Sequence, residues 1–524
     1  MIEVTSVANR YQQLESNRST FLSRGREAAK LTIPTLLPPD GHNGSTEYYT
    51  PYQGVGARGV NNLASKLLLS LLPPNTPFFR LMIDDFDLEK INASESRGMV
   101  EEALARIERA TMGEIEAGAV RVPVFEALKQ LIVTGNALVY MPKKEGMKVF
   151  RMDRYVVSRD TMGNVLEIII KESVSPLMLS AQMKEELADK IDNNAKSIDL
   201  YTKVCRRDKK WEVYQEAGGV IVPESEGTFP LDKNPFIPLR FIRVDGEDYG
   251  RGFVEEYFGD LKSLEALTKA IVEGASASAK VLFMVRPNST TKARVLAESP
   301  NGAIVSGDAN DVSTLQVQKG GDFRVAMETA STITDRLSYA FLLNSAATRN
   351  AERVTAEEVR YMAQELESAL GGVYSILSQE FQLPLITLLL HRMEGTGKMP
   401  KMPKGMVKPT IVTGIEALGR GQDLNKLAMF LQHIQPLGPE VIGSQLNVGD
   451  YIARLGASLG IDMGGLIKSQ EQLQQEAEAA QAQQQEMMAQ QQMGDMATKA
   501  APQMLQGAID NPEMVQAMAE QIQE

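Results

Sequence analysis

The residues able to do chemistry in this 524-residue chain are few and scattered. Cys205 is the only cysteine, which excludes an intrachain disulfide and a cysteine zinc cluster. His42, His391 and His433 lie far apart and read as ordinary solvated or core side chains. The acidic pairs Glu255-Glu256 and Glu357-Glu358 are adjacent, so on a helix they point to different faces and cannot share a site. No G-x-x-x-x-G-K-S/T phosphate loop, H-E-x-x-H or G-x-S-x-G occurs. Gly54-Val55-Gly56-Ala57-Arg58-Gly59 matches the letters of a dinucleotide fingerprint. A working fingerprint follows a strand and opens a βαβ unit. Here Thr50-Pro51-Tyr52 precedes it and no second strand follows, so a nucleotide-dependent enzyme rests on that match alone. No catalytic, cofactor-binding or metal-ligating residue is assigned, and the expectation is a structural or conduit role.

The remaining candidates are side chains that could meet phosphate. Arg349 and Arg353 sit in a polar loop, 344–354, with Asn344, Thr348 and Asn350 beside them. Lys280, Arg286, Lys292 and Arg294 occupy a stretch with no acid from 280 to 297, and surface charge on a docking tip explains them equally well. Lys262 and Lys269 most simply form a solvated stripe. Lys398, Lys401, Lys404 and Lys408 make a basic turn that reads as a solvated loop. The net charge of −12 excludes a sequence-specific reader of the usual basic kind. Local patches could still touch phosphate, without base readout.

The elements that would position these residues centre on 252–343. A helix over 253–280 carries Val254, Tyr257, Phe258, Leu261, Leu264, Leu267, Ile271, Val272 and Ala275 on one face. Its polar stripe is Glu255, Lys262, Glu265, Lys269, Glu273 and Ser276, with Glu265 and Lys269 in the favourable i,i+4 order. The small run Ala275-Ser276-Ala277-Ser278-Ala279 lets backbones crowd near its end. A second helix begins after Gly320-Gly321, with Asp322 as its N-cap, and presents Phe323, Ala326, Met327, Ala330, Ile333, Leu337, Ala340 and Phe341. Between them, 281–318 is rich in β-branched residues and turns, a compact tip on a stalk.

On the N-terminal side, helices are expected over 5–30, 55–72, 99–117 and 124–134. An α+β region follows, with strands at 138–142, 147–152, 165–172, 198–204, 211–215 and 237–244 and a helix at 179–193. Beyond the polar loop, Thr355 and Glu358 form a capping box opening a long helix, 356–393. A strand at 410–413 and helices over 414–467, broken at Pro436 and Pro439, complete the folded part. The Gln-, Ala- and Met-rich tail from 471 reads equally as assembly-dependent helix or as disordered chain. No apolar run approaches the ~20 residues of a membrane span and the N-terminus lacks signal-peptide character, so no membrane partner is expected and the chain is expected to be made and kept, at least at first, in a reducing cytoplasm.

Three stretches resemble the portal, or head-to-tail connector, proteins of tailed bacteriophages. The stalk–tip–stalk order runs through the polar loop into Glu352-Arg353-Val354-Thr355-Ala356-Glu357-Glu358-Val359. Gly56-Ala57-Arg58-Gly59-Val60-Asn61-Asn62-Leu63-Ala64, continuing to Leu71-Leu72-Pro73-Pro74-Asn75-Thr76-Pro77-Phe78-Phe79, resembles the short-tailed, podovirus-type portals in particular. So does Val124-Phe125-Glu126-Ala127-Leu128-Lys129 through Thr134-Gly135-Asn136-Ala137. The resemblance covers about residues 5–465 and not the Gln-rich tail.

That resemblance implies a mainly α chain with an α+β wing domain in a ring, commonly of about twelve copies, at one capsid vertex. Residues 1–251 and 355–410 would form the wing, 252–280 and 319–343 the stem, and 281–318 the clip. Residues 344–354 would be the channel loop and 411–470 the crown, which the tail from 471 would extend. It implies a virion protein that serves genome packaging and ejection. The partners would be the terminase large subunit, a tail adaptor, the major capsid and scaffold proteins, and double-stranded DNA without sequence specificity. Arg349, Arg353, Asn344, Thr348, Asn350, Lys262 and Lys269 are the channel candidates, and Lys280, Arg286, Lys292 and Arg294 the docking candidates. The competing reading is a virion scaffold or adaptor without a channel.

Overall fold

The computed structural model describes residues 6–74, 77–83, 97–144, 146–176, 197–278, 282–315, 320–343, 365–366, 368–370, 372–399, 407–411 and 419–438, with 442, 445–446, 448–459 and scattered positions from 472 to 488. The expected helix at 179–193, the channel-loop residues 344–354, the Thr355–Glu358 capping box, Lys280, Lys401 and Lys404 lie outside the described residues. The chain divides into two compact units, 1–425 and 426–524.

Helix α1 (Val7–Lys30) starts at Ser6, whose hydroxyl accepts from the Asn9 N–H, and lies against an antiparallel sheet. The strands of that sheet are β4 (Tyr155–Arg159), β5 (Val165–Val174), β6 (Ile198–Arg207), β7 (Lys210–Ala217) and β8 (Val220–Ile221), in that order, with β9 (Gly227–Pro230) also on β7. Alternation decides its two faces. Val156 and Ile169 pack under α1 with Tyr11 and Leu14, while Tyr155, Val157, Ile168 and Ile170 face a second core with Trp211 and Tyr249. Arg18 on α1 is buried, and its guanidinium donates to the Met152 and Tyr155 carbonyls at 2.9 and 2.6 Å. A three-stranded sheet, β10 (Phe236–Arg240), β2 (Asn136–Tyr140) and β3 (Lys148–Phe150), joins this region to the main core.

The main core is helical. It gathers α2 (Val55–Leu71), α3 (Arg97–Ala117), α4 (Arg121–Thr134) and the helical stretch Gly372–Gly395, which contains a π-helical segment at Ser378–Gln382. That stretch is long and apolar enough to cross a membrane by composition. Its Leu377, Phe381, Leu385, Ile386 and Leu389 side chains are instead buried against the other helices.

The structure departs from expectation in several places. Strands β1 (Phe79–Ile83) and β13 (Val407–Ile411) pair antiparallel, and neither β1 nor β4 shows the alternation that would announce it. The expected single helix over 253–280 breaks at Tyr257 into α5 (Phe253–Glu256) and α6 (Phe258–Ser278). The second long helix, α8 (Gly320–Ala340), begins before Asp322, so Asp322 lies inside its first turn and not at the cap. The tip contains a short helix, α7 (Ala293–Glu298), besides β11 (Leu282–Val285) and β12 (Val312–Leu315). Helix α9 spans Gly419–Ile434, and the second unit includes α10 (Val448–Leu459).

Lys398 is not simply solvated. Its ammonium donates to Glu114 at 2.6 Å, and Arg392 donates to the same carboxylate at 3.0 Å. The Lys398 hydrogen bond, then that of Arg392, holds the Glu114 carboxyl below its ordinary value of 4.5. A group with a depressed folded-state pKa stabilises the fold above its ordinary value and loses that contribution as pH falls through the depressed one. Glu114→Gln should therefore cost about 1–2 kcal/mol at neutral pH. The gap to wild type should close in acid, which denaturant melts across a pH series would read.

Candidate functional site: a helical pair and its tip

Three glycines let backbones touch where the long helices leave the body. Helix α4 ends at Gly135, whose φ of 77° is left-handed and whose N–H reaches the Leu131 carbonyl at 2.8 Å. A Cβ at Gly135 would overlap the Arg251 carbonyl carbon and come within 2.6 Å of the Gly252 nitrogen. A Cβ at Gly252 would lie 2.5 Å from the Val133 carbonyl oxygen. The buried Asn136 amide closes the joint, donating to the Gly250 carbonyl and accepting the Gly250 N–H, both at 2.8 Å. Thr134-Gly135-Asn136 thus forms a tightly packed joint beneath the helical pair.

Aromatic rings then lock the upper end of the pair. Phe253 meets Phe241, Tyr257 and Phe341 at centroid separations of 6.2, 5.1 and 5.5 Å. Phe341 in turn lies on Gly59, where a Cβ would be 2.6 Å from its ring. A Cβ at Gly56 would be 2.5 Å from the Leu31 carbonyl oxygen. Gly56 and Gly59 of the 54–59 match thus serve close packing, Gly54 does not, and the segment before them is a loop.

Helices α6 and α8 run antiparallel. Asp260 pairs with Arg336 at 2.5 Å near one end, and Phe323 covers Gly274 near the other. At the first end Leu261, Leu264, Ile333 and Leu337 are buried in the main core. Towards the tip the apolar faces open: Val272 is 46% exposed and Met327 60%, and Val325, on another side of α8, is 62% exposed. An apolar stripe half covered within its own subunit is the mark of a face awaiting a partner.

Glu265 does not join the polar stripe and does not pair with Lys269. It is buried, accepting from the Tyr49 hydroxyl and from the backbone N–H groups of Tyr52 and Gln53 at 3.0 and 3.2 Å. A buried carboxylate needs such donors, and the 49–53 loop supplies them. The same hydrogen bond pushes the Tyr49 hydroxyl up to about 12. Lys269 turns to Glu273 at 3.8 Å, its ammonium 6.0 Å from the Tyr52 ring centre. Lys262 is exposed and lines a cleft of about 450 Å³ with Phe21, Arg24, Glu255 and Phe258.

At the tip, β11 and β12 pair antiparallel with Leu282 opposite Leu315 and Val285 opposite Val312. Arg286, Lys292 and Arg294 are exposed, and Arg294 is engaged by Glu298 at 2.9 Å, just past the acid-free stretch. Phe283, Met284, Val295 and Ile304 are exposed beside them, so the tip surface is mixed apolar and basic. The described residues bring Arg286, Lys292 and Arg294 onto one small subdomain; Lys262 and Lys269 lie on α6. Arg349, Arg353, Asn344, Thr348 and Asn350 lie outside the described residues.

The model of the family described as bacteriophage head to tail connecting protein matches residues 4–467. Among solved structures, the neck of an empty gene transfer agent particle gives a TM-score of 0.34 at 12% identity over 72% of this chain and 86% of that one, a likeness too slight to carry weight. The portal protein of Escherichia phage T7 is 42% identical over 523 residues, 98% of this chain and 96% of that protein. The portal protein of Enterobacteria phage T3 is 44% identical over 476 residues, covering 88% of each, and that of Enterobacteria phage SP6 is 33% identical over 91% of this chain and 93% of that protein. With the family matched across the helical pair, its tip and the body beneath them, the chain belongs to the bacteriophage head-to-tail connecting protein family, among the portal proteins of short-tailed phages.

Proposed function

We propose that this portal protein works as a ring of identical subunits, commonly about twelve in the family, with α6 and α8 as its stem and residues 281–318 as its clip. Family membership places it in the virion at the head–tail junction. The observation that carries the ring reading is the tip-side half of the stem, where Val272, Val325 and Met327 stand open on otherwise amphipathic helices. Sibling copies around an axis would cover them. The terminase motor would push DNA inward through the hole, and the tail adaptor would later dock below. Major capsid and scaffold proteins would meet the wing during assembly in the host cytoplasm. The role asks no chemistry of the chain itself.

Electron microscopy of the purified protein tests this. Rings with a central hole are expected; a protein monomeric in every condition would sink the reading, and an assembly without a hole would favour a scaffold. Val325→Asp with Met327→Asp should abolish rings while leaving the protomer folded, because a buried unpaired charge costs several kcal/mol in an interface and little on an open surface. Native mass and circular dichroism would separate the two outcomes.

Within the ring, Arg349 and Arg353, flanked by Asn344, Thr348 and Asn350, would touch DNA phosphates. Lys262 and Lys269 on the stem are further candidates. Arg349→Ala with Arg353→Ala should leave rings intact and cut DNA filling or retention by on the order of ten-fold, most at low salt. A double mutant that fails to oligomerise would make that loop structural instead.

A further inference from the structure

The C-terminus of α8 is held in a conformation that a leucine does not choose for itself. Leu342 has φ +54°, the left-handed region that a Cβ disfavours. The Leu343 N–H bonds the Ser338 carbonyl at 2.7 Å, and the Leu342 N–H bonds the Tyr339 carbonyl at 3.1 Å. That is a Schellman ending, in which the left-handed position is usually glycine. Such a conformation persists where surrounding contacts overdetermine it.

Those contacts come from α2. The Asn62 amide donates to the carbonyls of Phe341 and Leu342 at 2.9 and 3.0 Å. One turn on, the Lys66 ammonium donates to the Leu342 carbonyl at 2.9 Å. Lys66 is buried, so its charge needs compensation, and the Glu365 carboxylate provides it at 3.4 Å. Glu365 adjoins Leu366, which is fully buried in the main core. One buried cation therefore touches the last residues of the stem and the first described residues after the intervening stretch.

We infer that Lys66, with Asn62 beside it, is a positioning residue that fixes both ends of the segment joining residue 343 to residue 365 against α2. Burial depresses the Lys66 ammonium below its ordinary range, with the Glu365 carboxylate opposing that shift. The consequence for DNA rests on the portal reading, since the channel-loop candidates lie in that segment; the geometry does not.

Hydrogen exchange on the full-length chain tests the inference, using Lys66→Met, Lys66→Arg and Asn62→Ala. In Lys66→Met the amides of Leu342 and Leu343 and that of Leu366 should exchange faster together, by on the order of ten-fold, while those at the end of α4 keep wild-type rates. Lys66→Arg should restore the first pair. Wild-type rates at both flanks, or acceleration at one alone, would overturn the proposal. Should Lys66→Met not fold, Asn62→Ala decides, because it strands no charge: faster exchange at Leu342 and Leu343 supports the anchor and unchanged exchange refutes it. In particles, Lys66→Met rings should form and retain less DNA, and full retention would refute that consequence. Failure of the portal reading would look different, as wild-type protein without a pore and with the exchange result unaltered.

Discussion

Replacing residues 281–318 with a short glycine-serine turn should leave rings intact and abolish docking of the terminase and the tail. The stem helices are antiparallel, and β11 and β12 pair residue for residue at the base of the tip. Directly paired strands sit about 5 Å apart, so the cut ends can be rejoined by a short link. None of the main-core residues comes from 282–315, so the protomer should lose little stability. The tip exposes Phe283, Met284 and Val295 beside Arg286 and Lys292, a composition suited to a protein interface. Affinity for either partner should fall by on the order of 100-fold or more in a pull-down or sedimentation assay. Normal docking by the deletion would refute the assignment, and loss of folding would show the tip to be structural.

Gly135→Ala should be the most damaging single methyl group in the body. Two penalties add at this residue. The φ of 77° disfavours any Cβ, and the added carbon would collide with the Arg251–Gly252 backbone, which cannot rotate away as a side chain would. Moving that backbone would pull Gly250 from Asn136, breaking a pair of buried 2.8 Å hydrogen bonds. A loss of about 3 kcal/mol or more is expected, a large share of an ordinary domain's stability. Chemical denaturation should show the lowered midpoint, and soluble yield should fall with it. Gly219→Ala is the control: its φ is also positive, but nothing lies within 4 Å of the added carbon, so only the conformational part should remain.

Much of the architecture is legible in local pattern. Helices α1, α2 and α4 fall within a few residues of their expected bounds, because caps, Pro73-Pro74 and Gly135 punctuate them. Strands β5, β6 and β7 follow from their β-branched and aromatic runs, and burial on both faces explains the unbroken Ile168-Ile169-Ile170. Strand β1 is hard to read, because it is short and Leu81-Met82-Ile83 is an unbroken apolar run that periodicity alone does not assign to a strand. The candidate site is legible in part. The exposed basic residues of the tip follow from charge spacing, whereas Glu265, which helical period puts on the polar stripe, is buried. Helical period says which residues share a stripe, not that a distant loop will bring backbone donors to one of them.

Residue order by itself determined the two amphipathic rods, the turn-rich tip between them and the motifs that mark the family, since each depends on neighbours a few positions apart. Tertiary structure decided which half of each rod is covered, that Glu265 turns inward, and that Leu342 adopts a left-handed turn under Asn62 and Lys66. These outcomes turn on hydrogen-bond partners and core volume supplied from remote parts of the chain, and a polar group's cost of burial is set by whether such a partner arrives.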